Sequence, residues 1–522
     1  MCALGVLLYT GCSKDFLDKQ PLGKVLASNF FQTEANANSA LTAAYDPLQW
    51  GTDVPNAVYF PDFVFGDITS DDAYKGGESP GDQPAFEELS TFNGRVSNVA
   101  LDGLWEKLYQ GVYRSNLVIV NVPTITAMSQ ASKDKMLGQA KFLRAYYYFY
   151  LVRAFGDVPL ITTILAPSEY QQAKVAKETV YAQIIKDLTE AAAVLPEKNG
   201  YSATDMGRAT KGAANGMLAR VYLYKADWAH AAAAALTVIN SNQYKLDPDY
   251  KHIFSMGGWN NSESVFEIQH ADATTPGGWA RGNEGNLFNV METTRDNDAP
   301  YVGWGFVCPT YSLVNEFEPN DPRMEASLIL GDALLDPSNA SLLAQINGGA
   351  PTVGRADTLA GKVIHNSSTG NATKIHSRKY ALTQAPVLNS SSGHSNQRVL
   401  RYSDILLMYA EASYHTGDEP TALTYLNMVR ARARAGTTIP GTLLDVTASG
   451  AALLDAIYHE RRVEFALEGL RFFDLVRTGR AAQVFATSEK NVVFKTGTNE
   501  VFPIPQKEID LSGGKIKQNN GY

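Results

Sequence analysis

The chain has 522 residues, of which 45% are hydrophobic and 10% aromatic, so it can bury a large core and does not have a disordered composition. Lys and Arg number 45 and Asp and Glu 54, which gives a net charge of −9. The basic residues are scattered rather than gathered in a run, which excludes nucleic acid as an expected partner. After the first dozen residues, no stretch approaches the roughly 20 apolar residues of a transmembrane helix.

The N-terminus predicts export. Residues 1–11 (MCALGVLLYTG) are apolar and rich in small residues, and they lead directly into Cys12. This pattern is typical of the apolar end of a secretion signal, and a cysteine at its end resembles a lipoprotein processing site, where Cys12 becomes the lipid-bearing first residue. No Lys or Arg precedes the run, so we expect the signal to be truncated here. A buried strand with an incidental cysteine is the alternative.

The cysteines predict no disulfide. Cleavage removes Cys2 and acylation uses Cys12, which leaves Cys308 without a partner in the mature chain. Cys308 is next to Pro309, and we expect it to be a small packed residue rather than a reactive thiol.

Amphipathic helices dominate the first half and the last quarter of the chain. Apolar residues recur there at three- and four-residue spacing, as in helices with one buried face. The clearest segments are residues 101–122, 133–155, 209–226, 399–415 and 451–467.

Two of these helices lead into a second helix in the same way. Asp227 and Asp418 each have an Ala eight residues before them and another four residues after them. Each Asp is placed to cap the second helix, and the small Ala residues let paired helices approach closely. This is the signature of tetratricopeptide-like hairpins. We therefore predict a mainly α fold, built on a tetratricopeptide-like helix-pair scaffold.

The two hairpins are too far apart in sequence for a simple solenoid. The region at about 244–397 is rich in Gly, Asn, Ser, Asp and Pro, with short strand-like runs such as residues 264–268. We predict a single domain over 12–522, with the scaffold at about 24–243 and 398–522. A large loop-rich insertion with short strands, at about 244–397, would carry the ligand site.

Known catalytic motifs are missing or incomplete. The segment that starts at His459 lacks the second histidine of a zinc-protease helix. Gly77, Ser79 and Gly81 match the spacing of a nucleophile elbow, but no apolar strand precedes them.

Three glutamates lie at four-residue spacing near the C-terminus. Glu460, Glu464 and Glu468 share one helix face, where a glycosidase-type acid/base pair is conceivable. Arginines 461, 462 and 471 stand beside them, and an arginine fork binds a carboxylate at two points. We therefore predict an ion-paired structural helix rather than a catalytic pair.

One long segment has a recognisable pattern. Residues 460–479 (ERRVEFALEGLRFFDLVRTG) closely resemble the C-terminal hallmark of the SusD/RagB family. Further similar segments run in the order found in that family: 12–21 (CSKDFLDKQP), 141–159 (KFLRAYYYFYLVRAFGDVP), 401–413 (RYSDILLMYAEAS), 502–508 (FPIPQKE) and 518–522 (QNNGY). Together they cover almost the whole mature chain, and the similarity is weakest at about 331–397.

This resemblance implies a surface-exposed lipoprotein of the Gram-negative outer membrane, anchored through Cys12. It implies a partner, a SusC-like TonB-dependent transporter, to which captured oligosaccharide or polysaccharide is delivered. It also implies no catalytic activity and no cofactor, while a structural calcium is left open.

A carbohydrate site needs accessible aromatic rings with carboxylate, amide or guanidinium groups beside them. The family draws its binding aromatics from the insertion and from an N-terminal loop, here residues 66–92. Two loop tryptophans and a tyrosine in Gly-rich segments, and three residues of the N-terminal loop, are therefore the predicted ligand contacts: Asp71, Asp72, Tyr74, Trp279, Tyr301 and Trp304.

Three other functions stay open at this point. A member of the same family could capture peptides instead of glycans. A surface glycoside hydrolase would need two carboxylates facing each other across a cleft, roughly 5 to 10 Å apart. A tetratricopeptide adaptor would have no exposed loop aromatics and no pocket.

Overall fold

The structure is a computed structural model in which the helical scaffold and parts of the insertion are described. The described residues are 30–50, 63–255, 257–270, 288–292, 294–295, 303–330, 358–359, 362–363, 373–380 and 395–522.

The N-terminal part is helical apart from one short strand. Its elements are α1 (Glu34–Gln49), β1 (Ala73–Gly76), α2 (Pro84–Ser90), α3 (Val99–Asn121), α4 (Gln130–Phe155), α5 (Lys177–Val194), α6 (Lys211–Tyr224) and α7 (Trp228–Asn240). A short π-helix (Phe63–Asp67) precedes β1.

The insertion contains short elements. They are α8 (Tyr250–Ile253), β2 (Ser264–Ile268), α9 (Phe288–Glu292), β3 (Phe306–Pro309), α10 (Tyr311–Glu316), α11 (Pro322–Ser327), β4 (Leu328–Ile329), β5 (Thr358–Leu359), β6 (Lys362–Val363), β7 (His376–Ser377) and β8 (Gln397–Arg401). The predicted strand at 264–268 is confirmed as β2.

The C-terminal part is helical again. Its elements are α12 (Tyr402–His415), α13 (Glu419–Arg434), α14 (Ala451–Glu464), α15 (Arg471–Arg477), α16 (Ala481–Thr487) and α17 (Gln506–Leu511).

The scaffold helices form one continuous array. Helix α1 packs on α3, and packing continues from α3 through α4, α5 and α6 to α7. Helix α7 then contacts α12 directly, although the whole insertion lies between them in sequence. The hairpins α6–α7 and α12–α13 are therefore neighbours in space, and the predicted mainly α, tetratricopeptide-like scaffold is confirmed.

The predicted helix caps and the predicted burial of the small residues are confirmed. The side chain of Asp227 accepts a hydrogen bond from the backbone N–H of His230, and that of Asp418 accepts one from Thr421. The four small residues of the two hairpins are fully buried: Ala219, Ala231, Ala410 and Ala422.

Two predicted helix boundaries are wrong at one end. The helix predicted at 399–415 begins only at Tyr402, because the preceding residues form β8, which pairs antiparallel with β2. The helix predicted at 451–467 ends at Glu464, because the backbone turns into the left-handed region at Leu467 and Gly469.

The described strands form four two-stranded antiparallel sheets, pairing β1 with β3, β2 with β8, β4 with β7 and β5 with β6. Cys308 lies fully buried in β3, as predicted for a packed residue. Among the described residues, no helix is both long and apolar enough to cross a bilayer.

Candidate ligand-binding site

The N-terminal loop and the insertion, both predicted to carry the site, meet in the β1–β3 sheet. Tyr74 pairs with Cys308 in this sheet. Just beyond the strands, the Gly77 N–H donates to the Gly305 carbonyl at 2.8 Å. The Thr310 N–H donates to the Asp72 carbonyl at 2.8 Å. Two segments more than two hundred residues apart in sequence are thereby joined through backbone hydrogen bonds.

Glycine is required where the two segments cross. Gly76 has a φ of +76°, which disfavours other residues. A Cβ atom at this position would lie 2.3 Å from the Gly305 carbonyl oxygen and 2.6 Å from Cys308 Sγ. The close approach of the segments therefore depends on the missing side chain.

Two lysines, Lys75 within the N-terminal loop and Lys490 from the C-terminal part, fix this loop through its backbone carbonyls. Lys75 Nζ donates to the carbonyls of Ser79, at 3.0 Å, and Asp82, so the chain curls around its ammonium group. Lys490 Nζ donates to the carbonyls of Ile68, Ser70 and Ala73 at 2.7 to 2.9 Å. Burial lowers the pKa of both lysines, that of Lys490 to about 8.

Asp71 and Asp72, predicted as acceptors for a ligand, are buried in ion pairs. The carboxylate of Asp71 accepts from Arg471 Nε and Nη2 at 2.8 and 2.9 Å, and that of Asp72 accepts from Arg462 Nε at 2.8 Å. Burial alone would raise the pKa of Asp71, but Arg471 and Arg462 lower it to about 2. Arginines contact both carboxylate oxygens of Asp71 and Oδ1 of Asp72 in the structure, and ligand contact at these two positions stays a prediction.

The family-like segment 460–479 is where the N-terminal loop is attached. The carboxylate of Asp67 accepts from the Gly469 N–H at 3.0 Å. A Cβ on Gly66 would lie 2.0 Å from the Gly469 carbonyl oxygen, so the two glycines are in direct backbone contact. Together with the pairs of Arg462 and Arg471, these contacts fix residues 66–72 against the end of α14 and the start of α15.

Tyr74 and Trp304 are the other two predicted ligand contacts that lie within the described residues. Both side chains are half-buried, and the Tyr74 hydroxyl donates to the Glu489 carbonyl at 3.5 Å. Burial and the nearby Glu489 raise the pKa of Tyr74 to about 12, so it stays a neutral donor at physiological pH. Trp304 packs one part of its ring against the hydrophobic core.

Arg295 is a site residue that sequence reasoning missed. Its Nη2 donates to the exposed Glu78 carboxylate at 2.7 Å, and its Nη1 donates to the Trp304 carbonyl at 3.3 Å. It thus links the N-terminal loop to the backbone of the insertion at Trp304. No spacing or motif around position 295 distinguishes it from other arginines of the insertion.

Trp279, Tyr301 and Cys12 lie outside the described residues. Ligand contact by Trp279 and Tyr301, and lipidation of Cys12, stay predictions.

The predicted ion-paired role of the three C-terminal glutamates is confirmed, but their partners differ from those expected. All three side chains are buried, with at most 4% exposed. Glu464 accepts from Arg401 at 2.8 Å and from Arg323 at 3.1 Å. The partners of the three glutamates come from other segments: Arg323, Lys379, Arg401, Arg430 and Arg432.

The arginines next to the glutamates in sequence pair with other carboxylates. Arg461 donates to Asp404 at 2.7 Å, while Arg462 and Arg471 hold the N-terminal loop. This follows from helix geometry, because adjacent residues point in different directions and cannot face one partner. In the part of the chain that the structure describes, no group of three or more His, Cys, Asp or Glu residues could hold a metal ion. The question of a structural calcium stays open.

Comparison with known proteins identifies the family. The SusD family model matches residues 262–522, and a model described as "Starch-binding associating with outer membrane" matches residues 15–223. SusD-like protein P2 of Formosa agariphila is 25% identical over 545 residues, which cover 99% of this chain and 98% of that protein. The chain therefore belongs to the SusD/RagB family.

Solved structures agree over nearly the whole chain. A laminarin binding SusD-like protein is 31% identical with a TM-score of 0.75, over 94% of this chain and 100% of its own. Surface glycan-binding protein A from Bacteroides thetaiotaomicron, in complex with laminarihexaose, is 28% identical with a TM-score of 0.76. That match covers 93% of this chain and 99% of the other.

Proposed function

We propose that this protein captures oligosaccharide or polysaccharide at the cell surface and delivers it to a SusC-like TonB-dependent transporter. The observation that carries the proposal is the match, over 94% of the chain, to a structure named for laminarin binding. The family model that describes association with the outer membrane supports the location. In this proposal Cys12 bears the lipid anchor, and the protein faces outward.

The β1–β3 region has the chemistry that such a ligand needs. The rings of Tyr74 and Trp304 offer apolar faces to the C–H side of a sugar ring. The Arg295–Glu78 pair, which contacts the backbone at Trp304, offers donors and acceptors for hydroxyl groups. Trp279 and Tyr301 belong to the same proposed site, since they come from the segment of the insertion that leads into β3.

We further propose that the ligand is bound without being cleaved. The relatives compared above are named as binding proteins. The one carboxylate cluster that suggested a glycosidase from sequence is buried and paired with cations, so it has no free acid or base to offer a glycosidic bond.

The test is affinity electrophoresis and calorimetry of the soluble chain that begins after Cys12, with laminarin, starch and a panel of other polysaccharides. Tyr74→Ala, Trp304→Ala, Trp279→Ala and Tyr301→Ala are compared with the native protein. Tyr113→Ala is the matched control, because Tyr113 is an exposed aromatic on α3. Thermal unfolding of each variant separates loss of ligand contact from loss of fold.

We expect one glycan class to bind, with affinity reduced at least tenfold by the site variants and unchanged by the control. Retention of peptides but of no glycan would reassign the ligand class within the family. Release of shorter sugars from the bound glycan would contradict the non-catalytic proposal.

The location has a separate test. Cys12→Ala should move the full-length protein from the outer-membrane fraction to the soluble fraction. If the variant stays in the membrane fraction, the proposed anchor is wrong.

A further inference from the structure

A small depression lies where the end of α14 meets the turn between α15 and α16. Six charged side chains line it: Asp72, Arg461, Arg462, Arg471, Asp474 and Arg480. Its volume is about 10 Å³, which holds a single atom of the size of a water molecule. The four arginines and two aspartates give the lining a net charge of +2. A site of this size and charge suits a small anion.

The two aspartates of the lining are paired with neighbouring arginines of α14. Asp474 accepts from Arg461 Nε at 3.2 Å, and Asp72 accepts from Arg462 Nε at 2.8 Å. Each of these arginines also pairs with a carboxylate outside the lining. The excess positive charge of the lining therefore comes from the other two arginines.

Arg471 is paired, but it keeps one donor for a ligand. Its Nε and Nη2 donate to Asp71 at 2.8 and 2.9 Å, and this carboxylate, which lies outside the lining, offsets the charge of Arg471. Nη1 of Arg471 has no acceptor among the described residues and is not one of their fully buried nitrogens. An ion in solvent can therefore reach it.

Arg480 is a cation without a carboxylate partner in the part of the chain that the structure describes. Its Nε donates to Thr478 Oγ1 at 3.1 Å, and its Cζ lies 3.9 Å from the ring centroid of Tyr458. Its Nη1 and Nη2 have no acceptor among these residues, and the side chain is only half-buried. One positive charge is thus left without a partner, and a monovalent anion would balance it.

The charges of Arg471 and Arg480 also act on each other. Burial, and next the charge of Arg471, lower the pKa of Arg480. An anion that accepts from both guanidinium groups reduces this repulsion, and hydrogen bonds between charged groups are stronger than those between neutral ones. Tyr458 and Thr478 already hold the Arg480 guanidinium in place, so binding requires little additional ordering.

We propose that this depression binds one halide-sized anion, chloride in physiological salt, through Arg480 and Nη1 of Arg471. The anion completes the hydrogen bonds of Arg471 while Nε and Nη2 stay on Asp71. It thereby becomes part of the attachment of the N-terminal loop to α15. The site does not depend on glycan capture, and its tests use no glycan.

The first test is crystallography of the soluble chain that begins after Cys12, with sodium bromide as the probe. Bromide replaces chloride and is located by its anomalous scattering. We expect an anomalous peak within hydrogen-bonding distance of the Arg480 and Arg471 guanidinium groups, and its loss in Arg480→Gln. Crystals soaked in concentrated bromide that show no peak at this position overturn the proposal.

The second test measures chloride in solution by ³⁵Cl NMR at physiological ionic strength. Binding to the protein broadens the chloride resonance, and Arg480→Gln should remove most of this broadening. Arg95→Gln is the matched control, because Arg95 is 76% exposed and should leave the broadening unchanged. Thermal unfolding of both variants shows that loss of binding is not loss of fold.

Three results would contradict the chloride site. Equal losses of broadening in Arg480→Gln and Arg95→Gln would show that chloride is attracted only by general surface charge. A bromide peak in the crystal without any effect of Arg480→Gln in solution would mean binding at crystal concentration only. If sodium sulfate removes the broadening at a lower concentration than sodium bromide does, the site takes an oxyanion and the halide assignment is wrong.

Discussion

The helical scaffold and the insertion differ in the balance of forces that holds them together. In the scaffold, hairpins approach through fully buried alanines such as Ala219 and Ala410, and the mainly apolar contacts include single buried ion pairs such as Arg220 with Asp404. The insertion and the N-terminal loop instead attach to α14 and α15 through buried ion pairs, such as Arg323 with Glu464 and Asp71 with Arg471. Segments with short strands offer few backbone hydrogen bonds and little apolar area, so charge pairs fix their position.

Apolar contacts and buried ion pairs should differ in how strongly a substitution lowers stability. Apolar packing loses stability gradually as volume changes. A buried charge network fails abruptly when one member is removed, because the partner is left charged and desolvated. The predictions below test this difference, from the largest expected effect to the smallest.

Glu464→Gln should have the largest effect. It removes the charge that faces Arg323, Arg401 and Arg432, so we expect the free energy of unfolding to fall by about 3 to 5 kcal/mol. Urea unfolding followed by circular dichroism measures the change. Glu325→Gln is the control, because the Lys251–Glu325 pair is largely exposed and should contribute less than about 1 kcal/mol. Equal effects of the two substitutions would show that the buried ion pairs of Glu464 stabilise the protein no more than an exposed pair does.

Gly111→Ala tests the scaffold by overpacking it. In an ordinary helix this change stabilises, but a Cβ at position 111 would lie 2.3 Å from the ring of Tyr147 on α4. We expect a loss of about 1 to 3 kcal/mol in the same urea assay. Gly94→Ala, whose Cβ would lie 3.5 Å from Leu89, should be close to neutral. A gain of stability at position 111 would show that α3 and α4 are not packed this closely.

His459 makes one attachment of the insertion sensitive to pH. Burial alone would lower its pKa, but hydrogen bonds to Glu316 and Glu318 raise it to about 9 from 6.5. The protonated ring of His459 therefore stabilises the folded protein. This contribution is complete below pH 6.5 and is lost as the pH rises through about 9. Because the ring is 29% exposed, we expect a loss of about 1 to 2 kcal/mol between these values.

Glu316, in the same cluster, gives stability the opposite dependence on pH. Burial would raise the pKa of Glu316, but the hydrogen bond from His459 lowers it to about 2. Its contribution is complete above pH 4.5 and is lost as the pH falls through about 2. Stability from this cluster should therefore be greatest between pH 4.5 and 6.5. His459→Gln should flatten the alkaline part of the curve, and an unchanged slope in this variant would refute the assignment.

Asp227→Ala should have the smallest effect. It removes the N-cap of α7, whose side chain accepts from the His230 N–H at 3.4 Å, and we expect a loss of about 1 kcal/mol or less. Asp227→Asn keeps an acceptor at the cap and should retain most of the stability. If both variants behave alike, the cap contributes nothing measurable.

Local sequence patterns predicted the scaffold well. Periodicity located α3, α4 and α6, and the repeated Ala and Asp spacing located both hairpins, because helix packing depends on residues three to eight positions apart. The start of α12 was misplaced, because residues 397–401 pair with β2 across the insertion. That partner leaves no trace in the local periodicity of the strand.

The family resemblance named two segments for the site, the N-terminal loop and the insertion, and the structure joins them where β1 pairs with β3. The contacts that fix the loop were not predicted. Sequence reasoning could not foresee that Asp71 and Asp72 bind arginines some four hundred positions away, because no local signal encodes such partners.

The attachment of residues 67–72 to residues 462–471 has a consequence for biogenesis. The ribosome makes the loop early and its arginine partners almost last, so the loop stays without its ion pairs until nearly all of the chain has been synthesised. Contacts of such long sequence separation also slow folding. A chain that ends before α15 therefore lacks Arg471, and with it the ion pair that holds Asp71.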